Sequence, residues 1–379
     1  MKNKIMHTLL PALLVVLGLT ACGQEAVPTS GQNVVAETPS IAPSDTLIDE
    51  TSAPVIQETD APVVETPSLE PADYLTVKPY EVGQTMILMY HGIVESRNPD
   101  DPYQRTREEF RNDLQALYDR GYRLLPLKDL VANNVTTAAG YTPVVITFDD
   151  GLASSFSLEM RDGALAPVPG CGLDIMMEFT AENPDFGMAA TFFINGDNNP
   201  FRGEGTLAER LQFLVEHGCD VGNHTYEHAD LYTLTAAEIQ AQMAKVDRMI
   251  REALPGSEPV GVSYPYGKRP ESEALRPLVL SGESEGWAYE YDFGLRVGQS
   301  GGASTPNRVG FDAPNLPRVR GSHGDVMDLW WMLEQYDEFP SRRYISDGDP
   351  NTIVVPREYE ENVAKETLGE KELVLYDLE

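Results

Sequence analysis

The chain has 379 residues, enough for one large domain or two ordinary ones. It carries 60 acidic residues against 28 basic ones, which gives a formal net charge of −32. A charge of this sign and size argues against a nucleic-acid partner and against docking on anionic lipid.

The first 21 residues have the layout of an export signal, with a basic start, an apolar run from Leu9 to Leu19 and small residues before Cys22. A short membrane anchor is the alternative, but a spanning helix needs about 20 apolar residues. Leu19-Thr20-Ala21-Cys22 resembles the lipobox of bacterial lipoproteins, in which the cysteine is lipidated and becomes the new N-terminus. We therefore expect a lipoprotein signal peptide at 1–21, lipidation of Cys22, and a protein attached to the membrane outside the cytoplasm.

Residues 22–78 alternate proline with Thr, Ser, Ala, Val and acidic residues, and they show neither helical nor strand periodicity. Such a segment buries too little apolar surface to offset the entropy lost on ordering. We predict a disordered tether that holds a folded domain away from the membrane. A disordered leader with no spacing role would have nearly the same sequence.

From Tyr80 onward, short apolar runs alternate with amphipathic helical stretches. Strands are predicted at 85–90, 122–127, 144–148 and 190–194. Helices are predicted after three capping boxes, formed by Thr106 with Glu109, Thr206 with Glu209, and Thr235 with Glu238. This alternation predicts an α/β fold with a parallel sheet and helices outside it, either an open doubly wound sheet or a closed barrel. Polar residues follow several of the strands, and in an α/β barrel this is the carboxyl end, where sites are built from the βα loops.

Two further stretches have less regular patterns. Ser154 to Gly187 is rich in Gly, Pro and acidic residues and is predicted to be an insertion, either a lid, a substrate-contacting wall or a surface excursion. Within it, Leu173 to Phe179 is predicted as a short helix or strand. The tail at 341–379 is expected to pack on the domain through strands near Thr352–Val355 and Leu373–Leu375. Cys171 and Cys219 could form a disulfide in an oxidising compartment, but their spacing alone does not decide this.

Asp149 and Asp150 end the apolar strand at 144–148, where both carboxylates cannot point into a core. One of them can bind a cation while the other stays free as a base, as metal-assisted hydrolysis requires. Alone, the pair is weak support, because Asp-Asp-Gly is also an ordinary turn sequence.

His224 and His228 are four residues apart, a spacing that puts both on one face of a helical turn, where they can ligate one metal ion. Two surface histidines would have the same spacing. An aspartate and two histidines would give three protein ligands and leave a position for water, the usual arrangement of catalytic zinc.

Three motifs, in order, resemble the polysaccharide deacetylase family, carbohydrate esterase family 4. They are Thr147-Phe148-Asp149-Asp150-Gly151, Asn223-His224-Thr225-Tyr226-Glu227-His228 and Tyr264-Pro265-Tyr266-Gly267. The resemblance covers roughly 84–320, and Met89-Tyr90-His91 is similar to the branch of exopolysaccharide poly-N-acetylglucosamine deacetylases. It implies a catalytic domain at 79–340, folded as a distorted (β/α) barrel with parallel strands, followed by the extension at 341–379.

The resemblance also implies roles for individual residues. Asp150, His224 and His228 would hold a divalent metal, zinc first, with cobalt, nickel or manganese as alternatives. Asp149 would be the general base, and Tyr264, Pro265 and Tyr266 would form one wall of the substrate groove. The implied reaction is hydrolysis of the N-acetyl groups of a GlcNAc-containing polysaccharide by a monomer. An O-acetyl polysaccharide esterase and a non-catalytic sugar-binding lipoprotein of the same fold are the alternatives.

The chain departs from the family pattern in two places. Ser263 stands where the family often has an arginine, and Arg318 in a later matching segment is our candidate for orienting Asp149. The family's late Leu-x-His motif, which supplies a general acid, is not evident. His91, at the end of a core strand, is our candidate for a further catalytic residue, although a buried structural histidine would fit the same position. His323 is a weaker candidate for the acid.

Overall fold

The structure, a computed structural model, describes residues 73–298 and 302–379. The predicted signal peptide, the lipidation at Cys22 and all but the last residues of the predicted tether lie outside these ranges. No helix in the described ranges is long and apolar enough to cross a membrane.

Eight parallel strands form the central sheet. They are β1 (Met86–Tyr90), β2 (Tyr122–Leu124), β3 (Thr142–Phe148), β4 (Ala190–Ile194), β5 (Cys219–Asn223), β6 (Val262–Ser263), β7 (Gly294–Val297) and β8 (Leu316–Arg320). The hydrogen-bonded order is β1-β8-β7-β6-β5-β4-β3-β2, and β3 also pairs with β1. Seven strands therefore close into a ring, while β2 pairs with the first residues of β3 beside the ring. The predicted distorted barrel is confirmed.

Five helices of ten or more residues lie in the described part of the chain. They are α1 (Arg107–Asp119), α2 (Gly172–Glu182), α3 (Leu207–Glu216), α4 (Ala236–Ala253) and α5 (Leu329–Glu338). The three predicted capping boxes are present at the starts of α1, α3 and α4, with the Thr side chain and the Glu side chain each bonded to the other's backbone. Shorter α-helices lie at Tyr74–Val77, Leu127–Val131 and Pro277–Leu280.

Smaller elements connect and cover the barrel. Antiparallel hairpins pair Leu158–Arg161 with Ala164–Pro167 and Ser281–Ser284 with Trp287–Glu290. Parallel pairs join Ile93–Val94 to Arg105–Thr106 and Thr352–Pro356 to Glu372–Tyr376. The 3-10 helices are Pro184–Phe186, Leu231–Thr233, Pro265–Gly267, Glu273–Leu275, Ala313–Asn315, Pro340–Arg342, Arg357–Asn362 and Lys365–Thr367.

The strands bury both faces, because alternate side chains point to opposite sides of the sheet. One face packs with the helices into a core cluster that includes Leu88, Ile146, Phe192, Phe110, Leu173, Leu211, Val246 and Leu333. The other face supplies a second apolar cluster, with Ile87, Val145, Phe193, Leu295 and Leu316. Thr147 and Arg318 lie two residues beyond Val145 and Leu316 on the same faces of their strands. The apolar filling therefore gives way to polar side chains towards the carboxyl ends.

The stretch from Ser154 to Gly187 is not a surface excursion throughout. Its second half is α2, whose Leu173, Met176 and Phe179 are buried in the larger core cluster. These positions are spaced three apart, so one face of the helix packs on the barrel as the crossover between β3 and β4.

The predicted strand at 122–127 ends at Leu124, because Pro126 precedes the short helix that starts at Leu127.

The C-terminal residues pack on the start of the described chain. The predicted strands near 352 and 373 form as one parallel pair, and the Tyr376 ring lies 5.5 Å from the ring of Tyr74. Tyr74 is buried, so the folded unit includes residues that the sequence placed in the tether. Cys171 and Cys219 are both buried free thiols.

Candidate functional site

A cleft of about 430 Å³ opens at the carboxyl ends of the strands. It is lined by the predicted residues His91, Asp149, Asp150, His224, His228, Tyr264 and Tyr266. These residues come from segments that directly follow β1, β3, β5 and β6. Because parallel strands end on the same rim of a barrel, residues more than 170 positions apart meet there.

Asp150, His224 and His228 form a group that can hold a metal ion, with their ligand atoms all within 4.8 Å of one another. Asp150 Oδ1 lies 3.3 Å from His224 Nε2 and 3.5 Å from His228 Nε2. Asp150 Oδ1 and His224 Nε2 are buried and have no hydrogen-bond partner among the described residues. A buried polar atom without a partner is costly, and a cation between these atoms would satisfy both.

The orientation of His224 also fits a metal ligand. Its Nδ1 lies 2.8 Å from the carbonyl oxygen of Ser263, a contact in which Nδ1–H is the donor. In the neutral ring, the form that binds a metal, that bond leaves the lone pair on Nε2, the atom that faces Asp150. Two imidazole nitrogens and one carboxylate oxygen are a donor set that divalent zinc accepts.

The two histidines do not lie on a helical turn, contrary to the sequence prediction. The chain leaves β5 in an irregular turn in which Thr225 and His228 have φ angles of 64° and 49°. The Asn195 amide holds this turn by donating to the carbonyl oxygens of His224 and Thr225, at 2.6 and 3.1 Å. The spacing of four residues is right for a shared metal, but a left-handed turn produces it rather than a helix.

Asp149 lies beside this group and is buried, with Arg318 as its main partner. Arg318 Nη1 donates to Asp149 Oδ1 at 2.8 Å, and Nη2 donates to Oδ2 at 2.7 Å. The Ser263 hydroxyl donates to Oδ2 at 3.1 Å and accepts from Arg318 Nη2 at 2.8 Å. Arg318 also donates to Thr147 Oγ1 at 3.1 Å. The arginine thus grips both carboxylate oxygens, and Ser263 is part of the same network.

These charges set the protonation of the carboxylates. Burial alone would raise the pKa of Asp149. The charge of Arg318, a protonated His224 when no cation is bound, and the Arg318 hydrogen bonds outweigh burial and hold that pKa well below its usual range. Burial also raises the pKa of Asp150, but the nearby His224 outweighs burial, and the pKa of Asp150 lies below its usual value. Both carboxylates are therefore ionised at neutral pH, as a metal ligand and a proton acceptor must be.

His91 lies in the cleft, with Nε2 4.0 Å from Asp149 Oδ2. Burial lowers the pKa of His91 more than Asp149 and Asp150 raise it, so the ring is neutral at neutral pH. Its Nδ1 is buried without a hydrogen-bond partner in the part of the chain that the structure describes. His323, by contrast, lies beside Trp330 in a separate depression, away from the cleft.

The three residues predicted to form the substrate wall differ in their exposure to solvent. Tyr264 and Pro265 are buried, and the Tyr264 hydroxyl donates to the Pro314 carbonyl at 2.6 Å. Tyr266 is 61% exposed, has a φ of 58°, and places its ring 4.6 Å from that of His228. Of the three predicted wall residues, Tyr266 therefore offers an aromatic face to solvent, beside His228.

Tyr103 was missed by the sequence analysis. Its ring is 40% exposed and lies 4.8 Å from the ring of His91, in the lining of the same cleft. The loop that carries it is polar and has no periodicity. The one feature of the sequence that could have indicated a role for Tyr103 was the presence of an aromatic residue in the loop that follows His91.

A larger groove, of about 1510 Å³, lies at the amino ends of the strands. Asp220 at the start of β5 and Phe293 before β7 belong to its lining, together with the hairpin residue Trp287. No histidine or cysteine is among the described residues that line it, and the Asp220 carboxylate is paired with Lys128 at 2.7 Å. Size alone therefore does not mark the chemical site.

Residues 184–276 match the sequence profile of the family described as Polysaccharide deacetylase. The match supports that family. The matched segment holds His224, His228 and the Tyr264–Tyr266 motif, and Asp149 and Asp150 precede it. The family is the one that the three motifs resemble in the sequence.

Two curated proteins with similar sequences are named as deacetylases. YxkH of Bacillus subtilis (strain 168), named as a candidate polysaccharide deacetylase, is 26% identical over 55% of this chain and 66% of its own length. The chitooligosaccharide deacetylase of Bradyrhizobium sp. (strain ANU 289) is 30% identical over 36% of this chain and 52% of its own length. The match with this chain thus spans between about half and two thirds of these relatives.

One solved structure that is similar to this chain is the Streptococcus pyogenes deacetylase PplD in complex with acetate. It is 19% identical, with 66% of this chain and 97% of that chain covered and a TM-score of 0.48. A score this low supports no conclusion about function.

Replacement of one ligand tests the metal group. His228→Ala should lower the metal retained after dialysis by at least about tenfold, because only Asp150 and His224 remain as ligands. Elemental analysis of the purified chain measures this. His323→Ala, which removes a histidine outside the cleft, is the matched control and should keep the metal. Equal metal content in the two variants would contradict the assignment.

Proposed function

We propose that this protein is a metal-dependent deacetylase that hydrolyses the N-acetyl groups of a GlcNAc-containing polysaccharide and releases acetate. The observation that carries the proposal is the buried carboxylate of Asp149, gripped by Arg318 beside the Asp150, His224 and His228 group. A protein that only binds sugar has no use for an ionised carboxylate held next to a metal site. The family of the matched segment supports the same reaction.

The bound cation, zinc first and cobalt, nickel or manganese next, would polarise the acetyl carbonyl and acidify a water molecule. Asp149 would accept a proton from the attacking water molecule. The lowered pKa of Asp149 makes it a weak base, so the cation would have to supply most of the activation of the water. Arg318 and Ser263 fix both oxygens of Asp149 and so define the direction from which the proton arrives.

The leaving amine needs a proton, and His91 is placed to carry it. Its Nε2 lies 4.0 Å from Asp149 Oδ2, so a small shift would bring the two atoms into hydrogen-bonding range. The ring is neutral before reaction and can therefore take the proton from Asp149 and pass it to the nitrogen.

In this proposal the polysaccharide lies in the cleft at the carboxyl ends of the strands, and exposed aromatic rings hold its sugar units. Tyr266 beside His228 and Tyr103 beside His91 expose rings on which pyranose rings can stack. The name of the Bradyrhizobium relative, chitooligosaccharide deacetylase, supports a substrate built of N-acetylglucosamine.

An O-acetyl polysaccharide esterase is the alternative that uses the same residues. The cation and Asp149 would act in the same way on an ester, which is the easier bond to cleave. Acetate released by one preparation from an N-acetylglucosamine polymer and from O-acetylated xylan separates the two activities. Release from xylan alone would replace the proposed substrate.

Removing the charge of Asp149 tests the proposed base. Asp149→Asn should lower acetate release by at least about 100-fold while the metal content stays unchanged, because the ligands are not altered. Asp162→Asn, in the exposed turn of the 158–167 hairpin, is the matched control and should keep full activity. Normal turnover in Asp149→Asn would refute the role; activity absent from both variants and the wild type would refute the deacetylase itself.

We propose that the protein is a monomer located outside the cytoplasm and attached to the membrane by lipid. The sequence of the first 22 residues supports this location. The basic start, the apolar run and the lipobox-like Leu19-Thr20-Ala21-Cys22 agree in position and order. Cys22→Ser should leave the precursor unprocessed, visible as a higher mass in whole-cell extracts. Ala53→Ser, a change inside the predicted tether, should mature like the wild type. Normal maturation of Cys22→Ser would contradict lipidation.

A further inference from the structure

A chain of buried hydrogen bonds begins at Asp247 on α4. This side chain is fully buried and accepts three hydrogen bonds. Its Oδ1 accepts from Trp287 Nε1 at 2.8 Å and from Arg251 Nε at 2.8 Å. Its Oδ2 accepts from the Tyr291 hydroxyl at 2.9 Å. The hairpin at 281–290 and the residue that follows it are thus tied to the interior of the fold.

The chain continues from Tyr291 to the residue before the first histidine ligand. Asn223 Nδ2 lies 2.8 Å from the Tyr291 hydroxyl, and the Thr225 backbone N–H lies 2.8 Å from Asn223 Oδ1. The Tyr291 hydroxyl has one hydrogen, which it donates to Asp247 Oδ2, so it must accept from Asn223 Nδ2. Asn223 Nδ2 also donates to the Met243 carbonyl at 3.0 Å, so the two hydrogens of the amide have one acceptor each. Together these bonds orient the Asn223 amide, whose oxygen then faces the Thr225 N–H.

Thr225 needs such support because of its backbone. It has a φ of 64° and His228 has a φ of 49°, both in the left-handed region that side chains with a Cβ disfavour. The Asn223 bond to the Thr225 N–H stabilises the first bend, and Thr225 Oγ1 accepts from the Ala229 N–H at 2.8 Å beyond His228. The turn that brings His228 back to His224 is therefore held at both ends.

We propose that Tyr291 is a positioning residue of the metal centre, acting through Asn223 on the turn that carries His224 and His228. Asp247 anchors the Tyr291 hydroxyl, and the hydroxyl shares with the Met243 carbonyl the task of holding the Asn223 amide in the orientation that the turn requires. Without the hydroxyl, the amide keeps one of its two acceptors and the turn is held less firmly, so binding the cation must also order the turn. The role rests on the metal centre of the proposed function and is independent of the substrate.

Tyr291→Phe tests this role, because it removes one hydroxyl and keeps the ring. The matched control is Tyr289→Phe. Tyr289 is also buried, its ring lies 5.8 Å from that of Tyr291, and its hydroxyl donates to the Leu278 carbonyl rather than to Asn223. Both variants lose one buried hydroxyl from the same apolar cluster, so both should melt at a lower temperature than the wild type.

The two variants should differ in metal affinity, measured with zinc alone by competition with a chelator. We expect the zinc dissociation constant to rise about tenfold or more in Tyr291→Phe and to change less than about twofold in Tyr289→Phe. An unchanged constant in Tyr291→Phe, or an equal rise in both variants, would show a merely structural role and overturn the proposal. A wild type that binds no zinc would overturn it together with the metal centre. A wild type that binds zinc but releases no acetate would contradict the proposed activity alone.

Discussion

The buried pair of Arg318 and Asp149 is the interaction on which the site depends. Two oppositely charged groups are placed where the apolar filling of the barrel ends, and each is costly to bury alone. The cost is offset because both carboxylate oxygens receive guanidinium bonds and a serine hydroxyl completes the set. Loss of one partner from such a pair costs about 3–5 kcal/mol, since an unpaired buried charge remains. The pair therefore requires the barrel to be closed.

Closure of the ring explains how the pair arises. Arg318 lies on β8 and Asp149 follows β3, and β1 separates these two strands while pairing with both. In an open sheet, β1 would have only one of these neighbours, and β8 and β3 would be separated by β4, β5, β6 and β7. The metal ligands on the next segments of the rim depend on the same closure. Asp150 follows Asp149 directly, and His224 donates to the carbonyl of Ser263, a residue that also bonds Asp149.

Local patterns in the sequence predicted the features that neighbouring residues determine. The capping boxes at Thr106, Thr206 and Thr235 form with partners three residues away, so their sequence signature was sufficient. Continuous apolar strands between amphipathic helices likewise predicted the parallel sheet, and the resemblance of three motifs selected the residues of the cleft. The helix α2 was predicted only as a short helix or strand at 173–179, because Gly, Pro and acidic residues around it dominate the composition of that stretch.

The contacts that join distant segments were not readable from the residues alone. Arg318 and Asp149 are 169 positions apart, and only the family resemblance suggested their pairing. Asn223 and Tyr291 are 68 positions apart, and nothing in either sequence neighbourhood marks a link. The turn between His224 and His228 was predicted as helical because spacing does not report the sign of φ. Such features follow from the tertiary fold, which fixes directions that periodicity leaves open.

The most direct test of the central pair is the Arg318→Lys variant, because lysine keeps the charge but cannot grip both carboxylate oxygens. The account predicts that kcat for acetate release falls about 10- to 100-fold, while KM and the bound metal change little. Metal content measured on the same preparation separates this effect from loss of the ligands. An unchanged kcat in a folded, metal-loaded Arg318→Lys protein would contradict the account.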